Sequence, residues 1–136
     1  MSELPDVARA VYGKLIADPG VSALAGDRIF NLLAPSGAPR PHIIFYLGSG
    51  LLDRSTPRLD GNDVYRVEAV ADTRQAADTL HRAIWAALDG AELSIDGFSN
   101  FWTAGERQVT LTETREGRQV WRYIADYRIR TSKRKE

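Results

Sequence analysis

A chain of 136 residues has the size of one domain built around one core. Eighteen Lys plus Arg balance eighteen Asp plus Glu, and this formal net charge of zero excludes a general nucleic-acid coat and an acidic solvating chain. The absence of cysteine excludes a disulfide scaffold, a thiolate metal site and a Cys nucleophile.

Met1 to Asp6 lacks the basic and apolar regions of a signal peptide, and no apolar run approaches the ~20 residues that span a bilayer. The chain therefore reads as made in a reducing cytoplasm, with no membrane partner. Leu4, Val7, Ala8, Val11, Tyr12, Leu15 and Ile16 follow helical spacing. Ser2 is the expected cap, Pro5 falls in the first turn, and Asp18-Pro19-Gly20 is the stop. A short helical turn over Val21 to Leu24 ends at Gly26. Arg28 to Leu32 reads as a short strand, and Ala34 to Pro41, with three prolines, as a loop.

His42 to Leu47 is β-branched and aromatic, a strand signal, and Gly48 to Asn62 is expected to be a long loop. Val64 to Ala71 alternates as a strand. Asp72 and Gln75 form a capping box that opens a helix with the core stripe Ala77, Leu80, Ile84, Ala87 and Leu88. Trp85 lies at the edge of that stripe, and Gly90 is the stop. Leu93 to Ile95 is a short strand and Gln108 to Thr114 a Thr-rich one. Arg115-Glu116-Gly117-Arg118 is a hairpin turn, followed by a strand in which Trp121, Tyr123, Ala125, Tyr127 and Ile129 share a face. The expected fold is α+β, a single mixed or antiparallel β-sheet covered on one face by two α-helices. Residues 1–130 form the domain and 131–136 a basic, flexible tail.

The search for chemistry returns no catalytic, metal or cofactor-binding residue. His42 stands at a strand start and His81 on an exposed helix flank, neither at metal-ligand spacing. Gly48-Ser49-Gly50 lacks the spacing of a nucleophile elbow, and Asp53 stands where a dinucleotide fingerprint needs its third glycine. Asp60-Gly61-Asn62-Asp63 has carboxylates but not the remainder of a calcium loop, and reads as a turn. No acid/base pair can be named, so the chain is expected not to be an enzyme.

Two features stand apart. Leu51, Leu52, Phe98, Phe101 and Trp102 place apolar groups where loops are expected; they either tuck back onto the sheet as a satellite cluster or, with Trp85, are candidates for a protein–protein interface. Arg128, Arg130, Lys133, Arg134 and Lys135 stand against one acid, Glu136, and are candidates for contact with DNA or an acidic partner. The remainder of the chain then carries thirteen basic and seventeen acidic residues, so the zero net charge is a cancellation between an acidic body and a basic end.

The order of the pieces resembles the tail-completion, or tail-terminator, proteins of long-tailed bacteriophages. The resemblance runs through Leu15-Ile16-Ala17-Asp18-Pro19-Gly20-Val21-Ser22-Ala23-Leu24 and Gly26-Asp27-Arg28-Ile29-Phe30. It continues through Ala34-Pro35, Arg40-Pro41-His42-Ile43-Ile44-Phe45, Ala71-Asp72-Thr73-Arg74-Gln75-Ala76-Ala77 and Ala86-Ala87-Leu88-Asp89-Gly90, with His42 in place of the usual aromatic. It implies a tail-terminator-like fold, a virion protein at the tail–head junction and a homo-oligomer forming a hexameric ring. That ring would cap the tail tube protein, stop elongation and dock the head-completion or neck protein, with DNA passing through the lumen without sequence-specific binding. The alternative is a small nucleic-acid-binding module using the basic C-terminal segment, with Trp102 as a stacking platform. A third reading is a small enzyme or ligand-binding domain with a pocket invisible in the sequence.

Overall fold

The structure is a computed structural model that describes residues 6–53 and 60–133. Its elements run α1 (Val7–Ala17), α2 (Pro19–Ala25), β1 (Ile29–Asn31), β2 (His42–Asp53), β3 (Asp60–Ala71), α3 (Arg74–Leu88), β4 (Ser94–Ile95), β5 (Phe98–Arg115) and β6 (Arg118–Lys133). Short polar side chains set the helix boundaries. Asp6 caps α1 by accepting from the Arg9 N–H, so the cap lies later than Ser2, and Pro5 precedes the helix outside the described residues. Asp18 closes α1 in an extended conformation and also caps α2, its Oδ2 accepting from the Val21 N–H at 2.9 Å. The Thr73 hydroxyl caps α3 through the Ala76 N–H, where Asp72 was expected; Asp72 instead pairs with Arg40 at 2.6 Å.

The strands form one mixed sheet in the order β1-β2-β3-β6-β5-β4, with β1 parallel to β2 and the other pairs antiparallel. Odd-numbered residues of β3 and β6, among them Tyr65, Val67, Ala69, Ala125, Tyr127 and Ile129, face the helices together with Ile43 and Phe45 of β2. They meet Val7, Val11 and Leu15 of α1, Val21 and Ala25 of α2, and Leu80, Ile84 and Leu88 of α3 in one core. The helical layer therefore has three helices, not two, because α2 is three residues longer than the expected turn and buries two residues of its own, Val21 and Ala25. The opposite face holds only a small cluster of Ile44, Val70 and Val120.

The expected loop from Gly48 to Asn62 is mostly strand. β2 runs on to Asp53 past an irregularity between Leu47 and Ser49, and β3 already begins at Asp60. Asp60, Gly61, Asn62 and Asp63 are ladder residues rather than a turn. Gly61, for example, lies between Leu52 of β2 and Thr131 of β6. Pairing on both flanks satisfies the backbone there, and that outweighs the local turn preference of Asp-Gly and Asn. Likewise the aromatic segment Phe98 to Trp102 is the start of β5, not a loop, and its register shifts at Asn100/Trp102 and Gly105/Arg107 hid its alternation. The turn between β5 and β6 is as expected. Glu116 and Gly117 both have positive φ, the two-residue loop that suits the twist of a hairpin.

Trp85 of α3 lies flat over Gly105 of β5, beside Tyr127 at 5.5 Å between ring centroids. A Cβ at position 105 would stand 2.3 Å from the indole, so only glycine admits this contact. Gly105→Ala should therefore lower stability by about 1–3 kcal/mol, the usual cost of overpacking, and adding Trp85→Leu should recover part of it. Urea denaturation of the three proteins measures both effects; an unchanged midpoint for Gly105→Ala would contradict this packing.

Candidate assembly interface

The face of the sheet away from the helices is polar, and Arg66, Arg122 and Arg128 on it are engaged within the chain. Arg66 of β3 meets Asp126 of β6 through two bonds of 2.9 and 3.3 Å. Arg128 donates to Glu106 of β5 at 2.8 Å and to Asn62 of β3 at 2.7 Å. Arg122 bridges Glu68 at 2.7 Å and Glu113 at 2.6 Å, and the Tyr46 hydroxyl donates to the other Glu68 oxygen at 2.7 Å. Even-numbered residues of β3 and β6 project here, so antiparallel register alone brings opposite charges together across the strands. The Arg122 guanidinium holds the Glu113 carboxyl below its ordinary range. Burial, with the Glu68 hydrogen bond second, raises the Tyr46 phenol.

A cleft of about 1180 Å³ lies between this face and the loop after β1, lined among others by Leu33, Pro35, His42, Tyr46, Glu68 and Arg122. Both Glu68 oxygens are already bonded, and no group of three or more His, Asp or Glu among the described residues could hold a metal ion. The cleft thus has mixed walls, with Leu33 and Pro35 beside Arg40, Arg115 and Arg118, over a floor where Glu68 and Arg122 are paired.

The candidate interface residues separate. Phe98 is buried in the core, and Trp85 is half-buried over Gly105 and Tyr127, so both are packing residues within the subunit. Leu51 and Leu52 are in β2 and Phe101 in β5; their side chains lie outside the described residues. Trp102 does project from the surface, 46% exposed, opposite Arg130 of β6. In the basic segment Arg128 and Arg130 are strand residues, and β6 continues through buried Thr131 and Ser132 to Lys133. Arg134 and Lys135 lie outside the described residues.

Sequence reasoning missed the apolar groups that the fold leaves outside. Val109 and Leu111 of β5 are 42% and 51% exposed, on the face that carries the ion pairs. Leu32, Leu33 and Leu47 are also exposed. Val109 and Leu111 alternate with Gln108, Thr110 and Thr112 in a way that resembles a buried face; which face that would be depends on a register that the irregularity before Arg107 resets.

His81 is buried, not on an exposed flank. It stacks on Tyr123 at 4.7 Å and its Nε2 lies 3.1 Å from Gln108 Oε1. His42 is buried at the start of β2 with its Nδ1 3.1 Å from Pro39 O. Burial lowers both imidazoles below the ordinary 6.5. The folded chain therefore binds fewer protons than the unfolded chain as pH falls through that value. Their contribution to stability is complete above about pH 6.5 and is lost as the pH falls below it. Urea midpoints should be lower at about pH 5.5 than at about pH 7.5, and His81→Gln should shrink the difference. An equal pH difference in wild type and in His81→Gln would contradict the burial of this imidazole.

Comparison with known proteins adds three findings. A family profile described as tail completion protein gp17 matches residues 9–132. Among solved structures, a chain from the virion of the native gene transfer agent particle has the same fold, with a TM-score of 0.71 and 20% identity over 91% of this chain and 92% of that one. No curated protein matches.

Proposed function

Because the chain belongs to the family of the tail completion protein gp17, we propose that it closes into a ring on the last layer of a phage-type tail tube. Family membership makes it a structural protein of the virion, with a place at the junction of tail and head. The ring, hexameric as the resemblance implies, ends elongation of the tube with one side and presents the other to the head-completion or neck protein. DNA passes through its lumen without being read. The carrying observation is the span of the family match, which begins in α1 and ends in β6 and so takes in every described element.

The geometry supports this reading. A ring subunit needs two unlike contact surfaces, because head-to-tail contacts close a cyclic assembly. Here one face of the sheet is filled by helices and the other is bonded within itself, which leaves the rims and the exposed Trp102, Val109, Leu111, Leu32 and Leu33 for neighbours. A lumen that DNA traverses works best without unpaired cations, which would hold the phosphates. Arg66, Arg122 and Arg128 each have an acidic partner. The same pairing weakens the alternative of a nucleic-acid-binding module, since Arg128 is engaged by Glu106 and Asn62.

The test is assembly of tubes from the cognate tail tube protein with and without this chain, imaged in negative stain. Added chain should shorten the tubes and leave a ring of density at one end. Tubes of unchanged length with bare ends would overturn the proposal.

A further inference from the structure

The backbone groups along the two sides of the sheet are satisfied unevenly. On one side β4 covers only Phe98 and Ser99 of β5. The end of α3 covers the next stretch, with the Gly90 N–H donating to Thr103 O at 2.8 Å and the Gly105 N–H to Asp89 Oδ1 at 2.9 Å. From Glu106 to Arg115, no strand among the described residues flanks β5 on its outer side. On the other side β1 pairs with Ile43 to Phe45 of β2, and the Leu32 N–H adds a bond to Phe45 O. Beyond that, β2 continues to Asp53 with no described strand on its outer side.

The free part of β5 is suited to pairing. Proteins usually blunt an edge by keeping it short, by proline or by bulges. Residues 106–115 contain no proline, and their register with β6 is unshifted from Arg107 to Arg115. Val109, Thr110, Thr112 and Thr114 are β-branched and favour extended backbone. Because the hairpin loop has two residues, Arg115 and Arg118 form the first hydrogen-bonded pair. The antiparallel alternation then turns the N–H and C=O of Gln108, Thr110, Thr112 and Thr114 away from β6.

We propose that the ring closes by strand pairing between copies, the 106–115 edge of β5 in one subunit running antiparallel to the 47–53 edge of β2 in the next. This rests on the ring reading above and names its contact. The sense of the strands fits. β2, β3, β6 and β5 alternate in direction, so β5 runs opposite to β2. A neighbour reached by rotation about a ring axis keeps its strand sense, so its β2 continues the alternation. Two unlike edges make a head-to-tail contact, whereas β5 paired with β5 would make a two-fold dimer and leave β2 open. Leu111 is level with His42, through Arg122 and Val70, while the free part of β2 lies further along the strand. Successive copies are therefore staggered, and a closed staggered sheet tilts its strands to the axis.

Hydrogen exchange on monomer and on the ring, free or on tube ends, tests this. The amides of Gln108, Thr110, Thr112 and Thr114 and that of Leu47 should exchange freely in the monomer and slow at least tenfold in the ring. Thr110→Pro removes an outward N–H without touching the ladder to β6, and should raise the concentration needed for assembly at least tenfold while the monomer keeps its circular dichroism. A ring in which these amides still exchange freely overturns the strand contact and leaves the ring reading intact. A dimer that protects β5 but not β2 overturns the choice of partner edge. Failure to form a ring even on tubes overturns the ring reading and this contact with it.

Discussion

An extended strand must satisfy its N–H and C=O groups on both sides, and in this subunit β3 is the strand that does so along its whole length. From Asp60 to Val70 it is paired with β2 on one flank, apart from the irregularity near Val64, and from Asp60 to Ala71 with β6 on the other. Its alternation then divides the molecule. Tyr65, Val67 and Ala69 point into the layer of helices, and Arg66 and Glu68 point into the ion-paired face. The apolar core and the charge ladder are thus two consequences of one register, and a slip of one residue would exchange them.

The same constraint fails at the rims. Short strands cover the outer sides of β2 and β5 only in part: three residues of β1 and two of β4 stand beside strands of 12 and 18 residues. The end of α3 extends the cover on β5 through Asp89, Gly90 and the Trp85–Gly105 contact, and stops there. The outer sides of β2 and β5 are thus the least satisfied parts of the sheet. In the proposed ring, these are the edges that neighbouring copies would share.

Much of this was legible in the residues. The α3 stripe, Val7, Val11 and Leu15 of the α1 stripe, the Asp18-Pro19 stop, the two-residue turn at Glu116-Gly117 and the β6 alternation all follow from local chemistry and are as expected in the structure. Tyr12 of the α1 stripe, by contrast, is exposed. The order of these segments carried the family resemblance. What was hidden was non-local. Asp60-Gly61-Asn62-Asp63 has turn chemistry, and only pairing with Leu52 and Thr131 on either side makes a strand of it. β5 lost its period at two irregularities, so Phe98 reads as a loop residue and interface candidate although it is a strand residue buried in the core. Arg128 read as a free cation because its partners, Glu106 and Asn62, are 22 and 66 residues away in sequence. His81 read as exposed because the groups that bury it, Tyr123 and Gln108, come from a hairpin that follows it in the chain.

The proposed strand contact implies a specific mode of association: copies add head to tail until the sheet closes, and then stop. Sedimentation velocity over a wide concentration range, with short tube fragments present in a parallel series, tests that claim most directly. The expected result is two species only, monomer and one closed oligomer, with no stable dimer between them. A dimer that dominates at all concentrations, or a monomer that persists unchanged with tubes present, would contradict it.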